Sequence, residues 1–222
     1  MKPLHSWKVT LEEAIQIQKN LKTRVILEKT FSEVRTIGGG DVAYSKNENV
    51  LFGAIAVLSF PTMEMLDMSM AYGGIPFPYI PGLFGFREGP ILIKAFQKLS
   101  VKPDVMIFEG QGIAHPRGVG LASHMGIWFN LPTIGCAKTP LLDQYIPPRN
   151  AKGSYELVRR KGRVVGAVVR TKHAVKPLFV SIGHRIDLPT SIQLVLESCK
   201  GFRFPEPLRK AHQASREMLD RT

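Results

Sequence analysis

Three carboxylates lie beside apolar segments of the sequence. Asp41 follows three glycines in a strand-like segment, and Glu109 follows the apolar run 105–108. Glu88 lies between them in the sequence, within a predicted helix. Burial of a carboxylate is unfavourable unless the group is paired or bound to a metal ion. The three acids therefore predict a cage for Mg²⁺ or Mn²⁺, which prefer carboxylate and water ligands. The alternative is that each acid caps a strand or a helix.

Two basic residues follow at the same predicted edge of the sheet. His115 lies a few residues beyond Glu109, in a loop at the carboxyl end of a strand, where α/β sites cluster. Lys138 ends the next short strand and can neutralise a phosphate or a developing negative charge. The alternatives are a structural histidine and an ordinary surface lysine. His212, on the predicted last helix, has no local context that indicates a role.

The loop from Phe77 to Gly82 presents an aromatic ring on a stiff backbone. Pro78 and Pro81 flank Tyr79 and Ile80. Proline restricts φ and lacks an amide donor, so this segment is unsuited to the interior of a helix or of a central strand. Such a loop can push its ring into a partner molecule. The alternative is that the ring has only a structural role.

The composition favours an anionic partner. The chain has 222 residues, and 30 Lys and Arg outnumber 18 Asp and Glu, for a net charge of +12. A basic surface attracts a phosphodiester, and an acidic metal centre can cleave it. A generally basic protein is the alternative. We expect no membrane partner, because no apolar run could span a bilayer and no basic amphipathic helix is long enough to bind lipid.

The two cysteines and the amino terminus bear on location. Cys136 and Cys199 form no CxxC pair, so a disulfide framework or a zinc site is not expected. Cys136 is expected to pack as a small hydrophobic residue. The first residues lack the apolar segment of a secretory signal. These features are typical of a cytoplasmic protein.

The patterns around these residues predict an α/β fold with a mixed sheet. A capping box at Thr10–Glu13 begins an amphipathic helix over residues 11–23. Three antiparallel strands follow in a meander, after which strands and helices alternate. No G-x-G-x-x-G motif follows the first strand, which excludes a dinucleotide-binding fold. Residues 1–222 form one predicted domain, because no linker divides them. The predicted strands are 34–44, 50–60, 63–72, 105–108, 133–137, 155–158, 164–170 and 178–181, and the later helices are 82–99, 118–129, 190–199 and 207–219.

Five segments occur in an order and spacing that resemble the motifs of the endonuclease V family. They are Pro78–Gly82, Phe86–Glu88, Gly110–Arg117, Gly120–His124 and Pro132–Lys138. The similarity runs from about Trp7 to His212, and several long motifs in register are far more specific than any one of them. The resemblance implies a ribonuclease-H-like fold and a monomeric DNA-repair enzyme. It implies Mg²⁺-dependent hydrolysis, with Mn²⁺ able to substitute, of the second phosphodiester bond 3′ to deoxyinosine. The products would carry a 3′-hydroxyl and a 5′-phosphate.

The resemblance also implies roles for individual residues. Asp41 and Glu109 would be metal ligands, with Glu88 completing the acidic site. His212 would lie near the metal, Lys138 beside the scissile phosphate, and His115 at another active-site position. The loop Pro78-Tyr79-Ile80-Pro81 would be a strand-separating wedge, and an inserted side chain offsets the stacking lost when a base is flipped. The flipped base would occupy a pocket formed by Gly82, Leu83, Gly110, Gln111 and Gly120.

One position departs from the family pattern. The strand before Gly110 usually ends in aspartate in the family, whereas this chain has Glu109. Asp104 cannot substitute, because five extended residues separate the two by roughly 16 Å at ~3.3 Å per residue. The additional methylene displaces the carboxylate, and Mg²⁺ tolerates little displacement. Three outcomes are open: full activity, slower turnover or altered metal preference, and binding without cleavage. Inosine in single-stranded RNA is an alternative target. We expect an active enzyme on deoxyinosine DNA.

Overall fold

A computed structural model describes residues 3–45, 49–141 and 145–221 of the chain. These residues form one eight-stranded sheet and pack helices against both of its faces. The strands are β1 (Thr36–Ser45), β2 (Val50–Ser59), β3 (Met65–Gly74), β4 (Val105–Phe108), β5 (Thr133–Ala137), β6 (Tyr155–Arg160), β7 (Arg163–Val169) and β8 (Leu178–His184). The helices are α1 (Leu11–Lys22), α2 (Phe84–Lys98), α3 (Leu121–Phe129), α4 (Leu188–Ser198) and α5 (Glu206–Asp220).

The sheet is mixed, as the sequence predicts. Its strand order is β3-β2-β1-β4-β5-β8-β7-β6. The first three strands form the expected antiparallel meander, and β4 and β5 run parallel to β1 at the centre. Strand β8 runs antiparallel to β5, and β7 and β6 follow it, each antiparallel to the strand before it in the sheet. The parallel arrangement brings the carboxyl ends of β4 and β5 to the same edge of the sheet, beside the second half of β1.

The central strand β4 is buried on both sides. Val105 and Ile107 join the core beneath α4 and α5, whereas Met106 and Phe108 join the core beneath α2 and α3. Strands covered on both faces have continuous apolar sequences because every side chain meets a helix layer. The sheet therefore separates the molecule into an α2/α3 face and an α4/α5 face.

A close approach at Gly39 sets the position of α5. A Cβ atom at Gly39 would lie 2.2 Å from the carbonyl carbon of Pro207, at the start of that helix. Only a residue without a side chain lets the α5 backbone pack this closely on β1. Gly39, two residues before Asp41, therefore lets α5 dock next to the acid.

Several predicted boundaries are wrong by a few residues. The helix predicted from residue 82 begins at Phe84, because Gly82 has a φ of +80° and belongs to a turn. The helix predicted from residue 118 begins at Leu121, because Gly118 also has a positive φ, of +76°. The third strand lies two residues later than predicted, and β8 continues beyond residue 181 to His184.

Other features agree with the sequence. The capping box at Thr10 and Glu13 is formed. Cys136 is fully buried in the core beneath α4 and α5, as expected of a small hydrophobic residue. Within the described ranges, no helix combines the length and the apolar character that crossing a membrane requires.

Candidate active site

Asp41 and Glu109 meet where β4 ends against β1. The register pairs Gly40 with Phe108, so Asp41 and Glu109 are the next residues along the two strands. The amide of Glu109 donates to the carbonyl of Gly40 at 3.3 Å. The Asp41 and Glu109 carboxylates and the His212 imidazole each offer a ligand atom, and these atoms all lie within 4.8 Å of one another. Asp104 lies at the opposite end of β4, where it accepts hydrogen bonds from the amides of residues 35 and 36.

Helix α5 supplies two donors to Asp41. His212 Nδ1 lies 3.0 Å from Asp41 Oδ2, and the Ser215 hydroxyl donates to the same oxygen at 2.9 Å. Burial favours a higher pKa for Asp41, but His212, together with Ser215 and Glu109, more than offsets it, so the pKa of Asp41 is lowered. The hydrogen bond to Asp41 in turn raises the pKa of His212. Ser215 is not among the residues that the sequence singles out, although its spacing of three from His212 places both on one face of a helix.

Lys138 and Asp41 act on Glu109 in opposite directions. Lys138 follows β5, as the sequence predicts, and its Nζ lies 2.6 Å from Glu109 Oε1. The pKa of Glu109 is raised, chiefly by burial, with Asp41 adding to the increase and Lys138 opposing it. Two carboxyl groups this close repel each other when both are ionised. A cation between them relieves that repulsion.

Glu88 faces the same cavity from α2. The cavity has a volume of about 510 Å³ and is lined by Asp41, Glu88, Glu109, Lys138 and His212, among others. Burial, followed by the charge of Asp41, raises the pKa of Glu88 to about 8. Glu88 is not part of the compact group of Asp41, Glu109 and His212. It therefore extends the acidic site from the α2/α3 face, whereas His212 reaches it from the α4/α5 face.

The donor set fits a divalent cation. Two carboxylates and one imidazole converge from β1, β4 and α5, with a third carboxylate across the cavity. Carboxylate oxygens suit Mg²⁺, and a mixed oxygen and nitrogen set also suits Mn²⁺. Asp41, Glu109 and His212 would hold such an ion, and the Ser215 hydroxyl would orient the Asp41 carboxylate.

His115 lies apart from the acids, in a network around the carbonyl of Gly82. His115 Nε2 donates to that oxygen at 2.9 Å, and Gln18 Nε2 and Arg117 Nη2 donate to it at 2.9 and 2.8 Å. Burial, aided by the charge of Arg117, lowers the pKa of His115 to about 4. The structure therefore gives His115 the contacts of a neutral residue that holds the loop after the predicted wedge. Gln18, buried on α1, is a second member of this network that no sequence motif marks.

The predicted base-pocket residues have different surroundings. Gly110 and Gln111 line the cavity of the acids, and the Oε1 atom of Gln111 is buried without a hydrogen-bond partner among the described residues. Leu83 is buried in a core cluster with Phe77 and Phe86. Gly120 precedes α3, and a Cβ atom there would lie 2.2 Å from the carbonyl oxygen of Gln111. Gly110 and Gln111 thus border the cavity, whereas Leu83 packs in the core next to the Tyr79 loop.

The predicted wedge is exposed next to this cavity. The Tyr79 side chain is 65% exposed, and its ring centroid lies 5.2 Å from that of Phe84, a residue of the cavity wall. Pro78 and Pro81 are also exposed, whereas Ile80 packs partly against the core cluster of Leu83. The loop is therefore anchored by one side chain and presents its ring to solvent.

Comparisons with known proteins agree with this architecture. The family model of endonuclease V matches residues 19–213. The chain is 49% identical over 209 residues to the endonuclease V of Dictyoglomus turgidum, which covers 94% of this chain and 91% of that protein. The crystal structure of the Streptomyces avermitilis endonuclease V superposes with a TM-score of 0.92 at 38% identity, covering 97% of this chain and 96% of the other.

A third relative has been crystallised with nucleic acid. The Ciona intestinalis endonuclease V, in complex with a 24mer DNA containing an inosine followed by a ribo-adenosine, superposes with a TM-score of 0.86. It is 31% identical, and the alignment covers 95% of this chain and 98% of that one. The ribonuclease-H-like fold implied by the sequence motifs is consistent with these structures. From its matching family model and its relatives along nearly the whole length, this chain belongs to the endonuclease V family.

Proposed function

We propose that this chain is a divalent-metal-dependent endonuclease of DNA repair that acts on DNA containing deoxyinosine. It hydrolyses the second phosphodiester bond 3′ to the lesion and leaves a 3′-hydroxyl and a 5′-phosphate. The observation that carries the proposal is the group of Asp41, Glu109 and His212, which opens into a cavity bordered by the exposed Tyr79 loop. The complex of the Ciona intestinalis relative with inosine-containing DNA supports the choice of substrate.

The site residues divide the work of phosphodiester hydrolysis. Asp41, Glu109 and His212 would hold Mg²⁺ or Mn²⁺, with Glu88 completing the acidic site. When bound, such a cation supplies charge stabilisation to the phosphate and lowers the pKa of water. Lys138, held by Glu109, supplies a further positive charge at this edge of the sheet. In the reaction a water oxygen bonds to phosphorus, the bond from phosphorus to the 3′ oxygen breaks, and that oxygen takes up a proton.

The wedge loop and the adjacent glycine loops recognise the lesion. Tyr79 inserts between the strands, and the flipped base enters the pocket formed by Gly82, Leu83, Gly110, Gln111 and Gly120. Unpairing costs least at a mismatched or damaged base, which adds to selectivity. The three donors on the carbonyl of Gly82 support this role by holding the loop rigid.

The test is a nicking assay in which residue 109, the position that departs from the family pattern, is varied. Wild-type protein and Glu109→Asp are compared on an inosine-containing duplex in Mg²⁺ and in Mn²⁺, with the cut mapped to the nucleotide. Asp41→Asn is the inactive control, and Glu156→Gln on β6 controls for loss of an acid elsewhere. We expect wild-type cleavage in both metals, with a preference for Mn²⁺ that Glu109→Asp reduces. A wild-type protein that never nicks, beside an active Glu109→Asp, would contradict the proposed activity and favour a binding protein.

The same assay separates the other candidate substrate. Matched single-stranded RNA with one inosine tests a ribonuclease activity, because the metal site acts on the phosphate and not on the sugar. If the RNA is cleaved much faster than the matched DNA, the substrate is inosine in RNA and the proposed DNA substrate is wrong. Action as a monomer and a cytoplasmic location stay predictions from the sequence.

A further inference from the structure

A second cavity borders the acids on the α4/α5 side. It has a volume of about 350 Å³ and shares Glu109, Lys138 and His212 with the first cavity. Its outer wall comes from the segment that joins α4 to α5 and from the first turns of α5: Phe202, Arg203, Phe204, Leu208 and Arg209. None of these five residues belongs to the site described so far.

Phe202 is an exposed ring backed by a guanidinium group. Its side chain is 51% exposed, and Arg209 Cζ lies 3.4 Å from the ring centroid. A single exposed aromatic residue is ordinary on a protein surface. Here, however, the guanidinium covers part of the ring and half of the side chain is still open to solvent, beside the metal-binding residues. This is the geometry of a ring that can accept a further planar group.

Two positive charges, those of Lys138 and Arg203, lie around the Phe204 ring in the same cavity wall. The Phe204 ring has Lys138 Nζ at 5.2 Å and Arg203 Cζ at 5.3 Å from its centroid. Arg203 Nη2 donates to the carbonyl of Pro177 at 2.8 Å, which fixes the guanidinium. Its Nε is buried and has no hydrogen-bond partner in the part of the chain that the structure describes. Burial lowers the pKa of Arg203.

The topology relates this surface to the lesion pocket. The Tyr79 loop leads into α2, on one face of the sheet, whereas Phe202 precedes α5, on the other. The acids lie between them, at the edge that both faces share. Cleavage 3′ to the lesion places the scissile phosphate beyond the flipped base. If the strand passes from the Tyr79 loop through the acids, the nucleotides after that phosphate reach the α4/α5 face.

We propose that Phe202, Arg203 and Arg209 form a subsite for the nucleotide on the 3′ side of the cleaved bond. This inference rests on the proposed function and adds a residue-level determinant of binding to it. The base of that nucleotide stacks on Phe202, which Arg209 supports from its other side. Arg203 faces the sugar-phosphate backbone of the same strand. An aromatic ring can stack on any base, so the subsite positions the strand without selecting its sequence.

The experiment removes the ring and the base separately. Wild-type protein, Phe202→Ala and Phe202→Trp are compared on an inosine-containing strand that is either complete or has an abasic analogue immediately 3′ of the cleaved bond. For wild-type protein we expect kcat/KM to fall about tenfold on the abasic substrate, within the range for base–aromatic stacking. Phe202→Ala should show the same loss on the complete substrate and no further loss on the abasic one. Phe202→Trp should restore both the activity and the sensitivity to the missing base.

An abasic analogue placed 5′ of the lesion serves as the control, and should affect wild-type protein and Phe202→Ala equally. If the losses from Phe202→Ala and from the 3′ abasic analogue multiply, the ring does not stack on that base and the subsite is refuted. Full activity of Phe202→Ala on the complete substrate refutes it as well. Wild-type protein that fails to nick the complete substrate would overturn the proposed function itself, which is a different result.

Discussion

Replacement of His115 by glutamine should weaken the dependence of stability on pH. In the folded protein His115 Nδ1 accepts from the amide of Arg117 at 3.1 Å, so the ring proton resides on Nε2 and is donated to Gly82. A second proton on Nδ1 would displace the Arg117 amide. It would also place a positive charge near the guanidinium groups of Arg117 and Arg160. The fold therefore favours the neutral ring.

The magnitude follows from the difference between the two states. The pKa of His115 is about 4 in the folded protein, against an ordinary value of 6.5 in the unfolded chain. Above pH 6.5 the ring is neutral in both states and contributes nothing to the pH dependence. Between pH 6.5 and 4 only the unfolded chain takes up the proton, so the free energy of unfolding falls as the pH falls, by up to about 1.4 kcal/mol per pH unit. The total loss attributable to His115 is about 3 kcal/mol by pH 4.

Urea unfolding of wild-type protein and His115→Gln from pH 4 to 7.5, at constant ionic strength, measures this difference. Glutamine does not titrate, so between pH 7 and pH 4 wild-type protein should lose about 3 kcal/mol more of its free energy of unfolding than the variant does, whatever their difference at pH 7. His124 and His184, whose pKa values are also lowered, are common to both proteins and cancel. Parallel curves would refute the reasoning. So would the loss, in the variant, of a limb near pH 6.5 in the pH profile of kcat/KM, because that result would make His115 a titrating catalytic group.

Three further substitutions test the supports of the site. Gly39→Ala should lower the free energy of unfolding by about 3 kcal/mol, because its Cβ would overlap the α5 backbone, whereas Gly74→Ala, with open space around it, should change it by less than about 0.5 kcal/mol in urea unfolding. Equal effects would contradict the close packing of α5. Ser215→Ala removes a hydrogen bond to Asp41 and should weaken Mn²⁺ binding about tenfold by calorimetry; unchanged affinity would exclude an orienting role. Tyr79→Ala should weaken binding to inosine-containing duplex about tenfold without changing Mn²⁺ affinity, and an unchanged duplex affinity would leave the ring a structural role alone.

Features that depend on neighbouring residues are predictable from the sequence of this chain. Thr10 and Glu13 form the capping box that their spacing predicts. The run Val105–Phe108 forms a strand buried on both faces, as its continuous apolar character indicates. Local hydrogen bonding and side-chain periodicity determine these elements, so their residues carry enough information. The element boundaries at Gly82 and Gly118 are less predictable, because a glycine permits several backbone conformations and packing selects one.

The acidic site is also predictable in part. Asp41 and Glu109 are found together because parallel strands end at a common edge, and Lys138 follows from the next strand. The motifs themselves identify the family, which the comparisons confirm. Glu88, from α2, requires knowledge of how that helix packs on the sheet.

Contacts between distant segments are visible only in the tertiary structure. His212 and Ser215 reach Asp41 across 171 and 174 residues of sequence, and they do so because Gly39 lets α5 pack against β1. His115, close to Glu109 in sequence, instead donates to Gly82 and does not line the cavity of the acids. The sequence by itself determined which chemical groups are present and which strands carry the acids. The docking of helices on the sheet decided which of those groups meet, because that docking depends on packing between surfaces that no local pattern describes.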